Sequence, residues 1–384
     1  FWRVFQMSVV SSFVDNKMSP SNYKMLEISI PKDVHKSPEA MEMVIDILWH
    51  LGGGAMEPLA NKFHGASFFP ASLEIVSIEG SVYFFIRAHK QIADLVKNTI
   101  YSQYPSAEVS EVDDYTKYVP NYEKHSDTWD IFGAEYQLFK EDFVPLKTYV
   151  DYGLDKSVGT LEEEQKIDPI APMLEQLGTL GSGEQVWIQF IVRADHGNSW
   201  RKEAKVKIEE IMGRGTPIDD DEPFQSVKLT HGEQEMVKGI ERSLDKFGFE
   251  AVIRSIYIAP KDNFNKGVVG FFKNNVFKPF GSQNFNGLGR HYDTTFVDWK
   301  YQDMTGLRTS SYKKKFFRQY INREAFYEGP LTYLNPFWHG ASKTMILTSE
   351  ELATMFHIPG RVSESSSVER IEAIKAEPPQ NLPI

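Results

Sequence analysis

Between Met25 and Val112 the spacing of apolar residues switches between the period of a strand and that of a helix, in the order strand, helix, strand, strand, helix, strand. Such a chain fits neither an all-helical nor an all-β fold. The first strand covers residues 25–30 and stops at Pro31. Ser37 is placed to cap a helix with Pro38 at its first position, and Met41, Val44, Ile45 and Leu48 fall on one stripe. Gly52, Gly53 and Gly54 close that helix. Two alternating runs, 73–78 and 82–88, then flank Glu79-Gly80-Ser81, the signature of a hairpin. A second helix over 90–101 carries Ile92, Leu95, Val96 and Ile100 on one face, Pro105 ends it, and residues 107–112 close the unit. The pattern predicts an α+β fold with a ferredoxin-like βαββαβ unit over 25–120, its antiparallel sheet covered by helices on one face.

A second unit of the same type is predicted over 184–280. Val186-Trp187-Ile188-Gln189-Phe190-Ile191-Val192-Arg193-Ala194 resembles Val82-Tyr83-Phe84-Phe85-Ile86-Arg87-Ala88, and a polar break and a helix follow each. This suggests a degenerate repeat. The helix from Ser199 directs Ala204, Ile208, Ile211 and Met212 inward, and after an acidic loop at 219–222 the pair Thr230 and Glu233 forms a capping box. That helix carries Met236, Ile240, Leu244 and Phe247 and ends at Gly248, with a strand over 251–258 and a helix over 261–277 to follow. Residues 121–183 read as a connector holding strand-like pieces at 134–139 and 146–150 and a short helix started by Asp168-Pro169. Residues 281–360 read as an irregular aromatic and basic region closed by a helix that Thr348 and Glu351 cap. Residues 361–384, with Pro378 and Pro379, read as an extended linker.

With 384 residues the chain is long enough for two or three cores, and a net charge of −11 disfavours condensation of the whole surface on a phosphate backbone. Cysteine is absent, which excludes thiolate zinc sites, and no apolar run approaches the length of a membrane span. The histidines lack metal-site spacing, and Gly340-Ala341-Ser342-Lys343-Thr344 has Ser342 where a phosphate-binding loop needs glycine before its lysine. No catalytic, cofactor-binding or metal-binding residue is expected here. The run Gly80-Ser81-Val82-Tyr83-Phe84-Phe85-Ile86 lies on a central strand, where RNA-recognition folds carry stacking aromatics, but Glu79 occupies the position of the expected basic residue. The segment 312–323 is basic and aromatic together. As a helix it turns Phe316, Phe317, Tyr320 and Ile321 inward and spreads Lys313, Lys314, Lys315, Arg318 and Arg323 over the rest. Those five cations form the candidate contact to DNA or lipid phosphate, the alternative being a solvated or partner-facing helix.

Pro31-Lys32-Asp33, Lys36-Ser37-Pro38-Glu39-Ala40-Met41-Glu42 and the runs 74–80, 145–149, 168–172, 183–189 and 350–360 together resemble one family. It is a region of bacterial, notably candidate-phyla, proteins that follows a membrane segment and precedes a helicase/translocase ATPase domain of the type IV secretion and conjugative DNA-transfer kind. The resemblance implies a piece of a longer protein, as do the opening Phe1 and the proline-rich end. Residues 1–24 are then expected to lie next to the membrane, with Phe1, Trp2, Arg3 and Phe5 at its interface and the chain at the cytoplasmic face. ATP and Mg²⁺ are expected only in an ATPase domain after Ile384. The implied partners are that domain, the membrane, further copies joined through the motor and, on the alternative reading, nucleic acid.

Overall fold

The computed structural model describes residues 20–31, 36–51, 70–119, 122–155, 167–212, 229–295, 303–326 and 343–359. The first half contains β1 (Tyr23–Ser29), α1 (Glu39–Leu51), β2 (Ala71–Ile78), β3 (Ser81–His89), α2 (Lys90–Gln103) and β4 (Glu108–Val112). The fold is α+β, and these strands lie antiparallel in the order β4-β1-β3-β2. Met41, Val44, Ile45 and Leu48 are all buried, as their stripe predicts. On α2 the stripe is shifted: Leu95 is exposed and Ala93 is buried in its place. The β2–β3 turn holds Glu79 and Gly80 at φ 51° and 90°, the left-handed pair that suits a twisted hairpin. A Cβ at Gly80 would also stand 3.0 Å from the Gly178 carbonyl oxygen.

After α3 (Tyr122–His125) the second half contains β5 (Trp129–Leu138), α4 (Ala171–Gly178), β6 (Gln185–Ala194), α5 (Ser199–Ile211), α6 (His231–Leu244), β7 (Gly248–Pro260), α7 (Lys266–Asn274) and β8 (Leu288–Asp293). Then come α8 (Leu307–Asn322), β9 (Met345–Thr348) and α9 (Ser349–Met355). The order here is β6-β7-β5-β8, with β9 on the stretch of β7 that β5 does not reach. Residues 121–183, expected as a connector, thus supply a central strand and a core helix. Gly248 opens β7 rather than only closing α6, where a Cβ would meet Trp200 Nε1 at 2.8 Å.

The halves are welded. β2 pairs with β6 from Ala71↔Val192 to Ile78↔Gln185, so one antiparallel sheet runs through the described structure. Counted outward from that seam, each half presents its second, third, first and fourth strand, which relates the halves by an approximate two-fold axis at the seam. The repeat is therefore topological. It equates β2 with β6 and β3 with β7, whereas the strings that suggested it lie on β3 and β6. The loops differ: a tight turn joins β2 to β3, and two helices intervene between β6 and β7.

Helices α1, α2, α4, α7 and α9 pack on one sheet face, against Leu73, Ile75, Phe84, Ile86, Ile188, Phe190 and their neighbours. The other face lies under α8 and the turn Tyr115–Tyr118, with Trp187, Ile256, Phe316, Phe317 and Tyr320 at its centre. Residues 146–150 are not a strand. The Leu146 N–H donates to Glu351 Oε1 at 2.7 Å and the Tyr149 N–H to Thr354 Oγ1 at 3.0 Å, so side chains of α9 take donors that a ladder would otherwise use. Both capping boxes, Thr230 with Glu233 and Thr348 with Glu351, are formed. Phe1, Trp2, Arg3 and Phe5, the glycines 52–54, the acidic loop 219–222 and the segment 361–384 lie outside the described residues. Among those described, no helix is long and apolar enough to cross a membrane.

Candidate functional site

The basic segment is indeed a helix, α8, and its apolar stripe closes the second face of the sheet. Its cations do not share one surface. Lys313 pairs with Asp130 at the start of β5, and Arg318 points to solvent. Lys314 and Lys315 are partly covered, and burial, then the charge of Arg318, lowers the Lys315 amine below the usual lysine range. Arg323 is 3% exposed and faces inward. It occupies the left-handed region at the helix C-cap (φ 53°), which an arginine tolerates here because its side chain is held. Its Nε and Nη2 donate to Glu74 at 2.8 and 3.0 Å, and its Nη1 and Nη2 to Asp114 at 2.7 and 3.2 Å.

Under the C-terminal half of α8 the central strands contribute a polar rung. Glu74, Gln189, Arg254 and Glu135 are direct cross-strand partners on β2, β6, β7 and β5, and all are buried. Glu74 also accepts from Tyr115 (2.6 Å), Ser72 (2.5 Å) and Gln189 (3.2 Å), while Arg254 donates to Glu135 at 3.0 Å. Burial alone would raise the Glu74 carboxyl, but the Arg323 charge and hydrogen bonds outweigh it and hold it below the usual range. Burial, then Arg323, lowers nearby Arg87 to about 10. Every charge in this group faces an internal counter-charge or hydrogen-bond partner, so its work is to fix α8 on the sheet. Phe85 is covered by Tyr115 at 5.4 Å between centroids, which removes it as a stacking platform.

A second charged group joins α1, α6 and α9. Lys246 reaches Glu42 at 2.7 Å, Arg242 reaches Glu350 at 2.9 Å and Asp151 at 3.0 Å, and Tyr149 donates to Glu42 at 2.7 Å. Just past α9, His357 places one ring nitrogen 3.0 Å from the Ala353 carbonyl and the other 3.1 Å from Asp168. Both neighbours can accept, which favours the protonated ring; burial opposes this, but the Asp168 charge and hydrogen bond outweigh it and raise the imidazole above its ordinary value. Of the phosphate-loop-like string, Lys343 uses its carbonyl to accept from Gln137 Nε2 at 3.1 Å. Among the described residues, no group of three or more His, Asp or Glu side chains is placed to hold a metal ion.

An open concavity lies beside the outer strand β8, a cleft of about 670 Å³. The charged side chains that line it are cations: Lys140, Lys273, Lys278 and Arg290. Its walls are preformed. The Lys140 ammonium donates to the carbonyls of Gln283 and Phe285 at 2.8 and 2.7 Å, and Asn286 ties residues 140, 141, 144 and 287 together through its side-chain amide. Lys273 donates to Thr295 at 2.8 Å, and Arg290 pairs with Asp293. At the rim Phe139 is 75% exposed, its ring against Gly287 and Gly289, where an added Cβ would stand 3.0 and 2.2 Å from it. None of these residues stands out in the sequence, because the four cations are dispersed over 150 positions and only the β5–β8 pairing and α7 gather them.

No protein-family model matches this chain, and no curated protein matches it at a significant level.

Proposed function

We propose that the chain is a non-catalytic region that tethers, spaces and assembles a membrane-associated ATPase of the type IV secretion and conjugative DNA-transfer kind at the cytoplasmic face of a bacterial membrane. The strings quoted above supply the setting. The observation that supports the mechanical role is the seam: an eight-residue antiparallel pairing makes both halves one sheet, and α8 and α9 strap its two faces. A link between a membrane anchor and a motor must not yield under load. Two domains on a linker would hinge, whereas a shared sheet has to break a ladder first. Nucleotide chemistry and homo-oligomerisation belong, on this reading, to a motor domain. The test is deletion of residues 20–359 from the protein that carries them. Retained ATP hydrolysis with abolished substrate transfer is expected, and unimpaired transfer overturns the role. Mg²⁺-dependent ATP binding by the 384-residue chain overturns its non-catalytic character.

The basic cleft favours a second reading, a nucleic-acid-binding module that presents DNA to the motor. It moves the contact from α8, where Lys313 and Arg323 are consumed by Asp130, Glu74 and Asp114, to the outer edge of the second half.

A further inference from the structure

We infer that the cleft beside β8 binds a short stretch of single-stranded nucleic acid, with phosphates against Lys273, Lys278 and Arg290 and a base stacked on Phe139. This rests on the second reading and gives it a site. Three independent observations converge on it. The first is sign: the chain carries net charge −11, yet the charged side chains lining its open cleft are all positive. A groove of one sign focuses the field and concentrates a ligand of the other. The partial neutralisation of Arg290 and Lys273 by Asp293 leaves the surplus in place, since Lys140 is held by carbonyls and Lys278 lies exposed on the wall.

The second observation is the aromatic. Phe139 sets its ring against Gly287 and Gly289 and is 75% exposed. The glycines leave room for the ring, and an exposed aromatic is what a nucleobase needs for sequence-tolerant stacking. The third is preorganisation. The Lys140 and Asn286 bonds fix the loop 281–289 before any ligand arrives, so little conformational entropy is lost on binding. A duplex would present only backbone to the cations and hide its base faces. A single strand offers phosphate and ring together.

The experiment uses the whole 384-residue chain and a fluorescein-labelled deoxythymidine oligomer of about ten nucleotides, read by anisotropy at about 50 mM salt. Phe139→Ala is expected to raise Kd by roughly 5- to 100-fold, the range for one stacked base. Lys278→Ala is expected to weaken binding and reduce the slope of log Kd against log salt by about 0.7 to 1. Phe139→Leu and Lys278→Gln repeat both tests should an alanine variant fold poorly, as judged by urea midpoint. Arg318→Glu on α8 is expected to leave Kd within about twofold, since an exposed charge outside the site acts only through a screened field. Binding lost in Arg318→Glu but kept in the cleft variants overturns the cleft and leaves the second reading standing on α8. No binding by the unaltered chain overturns both. Equal affinity for a duplex, insensitive to Phe139→Ala, overturns the single-strand assignment.

Discussion

Replacing Glu74 by leucine removes the carboxylate at the middle of the polar rung and tests whether α8 is fixed by charge or by its aromatic stripe alone. The side chain is 0% exposed and receives hydrogen bonds from Ser72, Tyr115, Gln189 and Arg323. Leucine fills similar volume, so the cost comes from stranded partners rather than from a cavity. Removing one member of a buried ion pair costs about 3–5 kcal/mol because the other charge is left buried. Arg323 keeps its two bonds to Asp114, a residue with side-chain exposure of 24%, which places the expected loss near the lower end, about 3 kcal/mol. The pair Glu74→Leu/Arg323→Met, which leaves only the part-exposed Asp114 without its cation, should lose less than the sum of the single changes, with a coupling of about 1–3 kcal/mol. Urea unfolding followed by tryptophan fluorescence reads this directly, because Trp187 lies 5.7 Å from the Tyr320 ring. A Glu74→Leu loss under about 1 kcal/mol, or strict additivity in the cycle, would refute the claim that the ionic contact fixes the helix.

Gly133→Ala should destabilise the fold by about 1–3 kcal/mol, since its Cβ would stand 2.3 Å from the Phe316 ring; a companion Phe316→Ala that recovers none of the loss in thermal melts would count against this contact. Trp187→Ala, at 0% exposure, should cost about 3–5 kcal/mol and lower a single shared transition, whereas two separate unfolding steps would show that the halves do not share one body. His357 has a folded-state pKa raised above its ordinary 6.5, so its stabilisation is complete below about pH 6.5 and is lost as pH rises through the raised value. His357→Gln should flatten that decline, and parallel stability curves for the two proteins from about pH 6 to 9 would rule the pair out as its source.

The first half was legible because each of its elements announces itself locally: Ser37-Pro38 at a helix start, a four-residue stripe on α1, and Glu79-Gly80 at a turn between alternating runs. The second half hides the same strand order. Its first strand, β5, precedes α4 by 32 residues, and α5 and α6 replace the hairpin, so sequence proximity no longer reports spatial proximity. The rung left no signal for a different reason. Glu74, Gln189, Arg254 and Glu135 sit at alternate strand positions that normally face water, and nothing local says that a helix more than 50 residues further on will cover them. Arg323 follows the same logic: helical periodicity places it among the surface cations, but the left-handed C-cap turns it under α8. The cleft, assembled from β5, α7 and the loop before β8, left no periodic trace at all.

The seam between β2 and β6 gives the molecule the plan of a homodimer written into one chain. Two separate copies meeting through their second strands would be bound by symmetry to present identical ends, and whatever one end acquired the other would repeat. Covalent continuity lifts that obligation. Here α5 and α6 enlarge one half only, and the outer edges have diverged: β4 reads Glu-Val-Ser-Glu-Val, while β8 borders the cleft lined by Lys140, Lys273, Lys278 and Arg290. The eight-strand path thus has an acidic edge and, seven spacings or roughly 35 Å away, an edge beside a cation-lined cleft. A symmetric assembly of this size has no such vector. This chain does, and anything polyanionic that approaches it meets a direction as well as a surface.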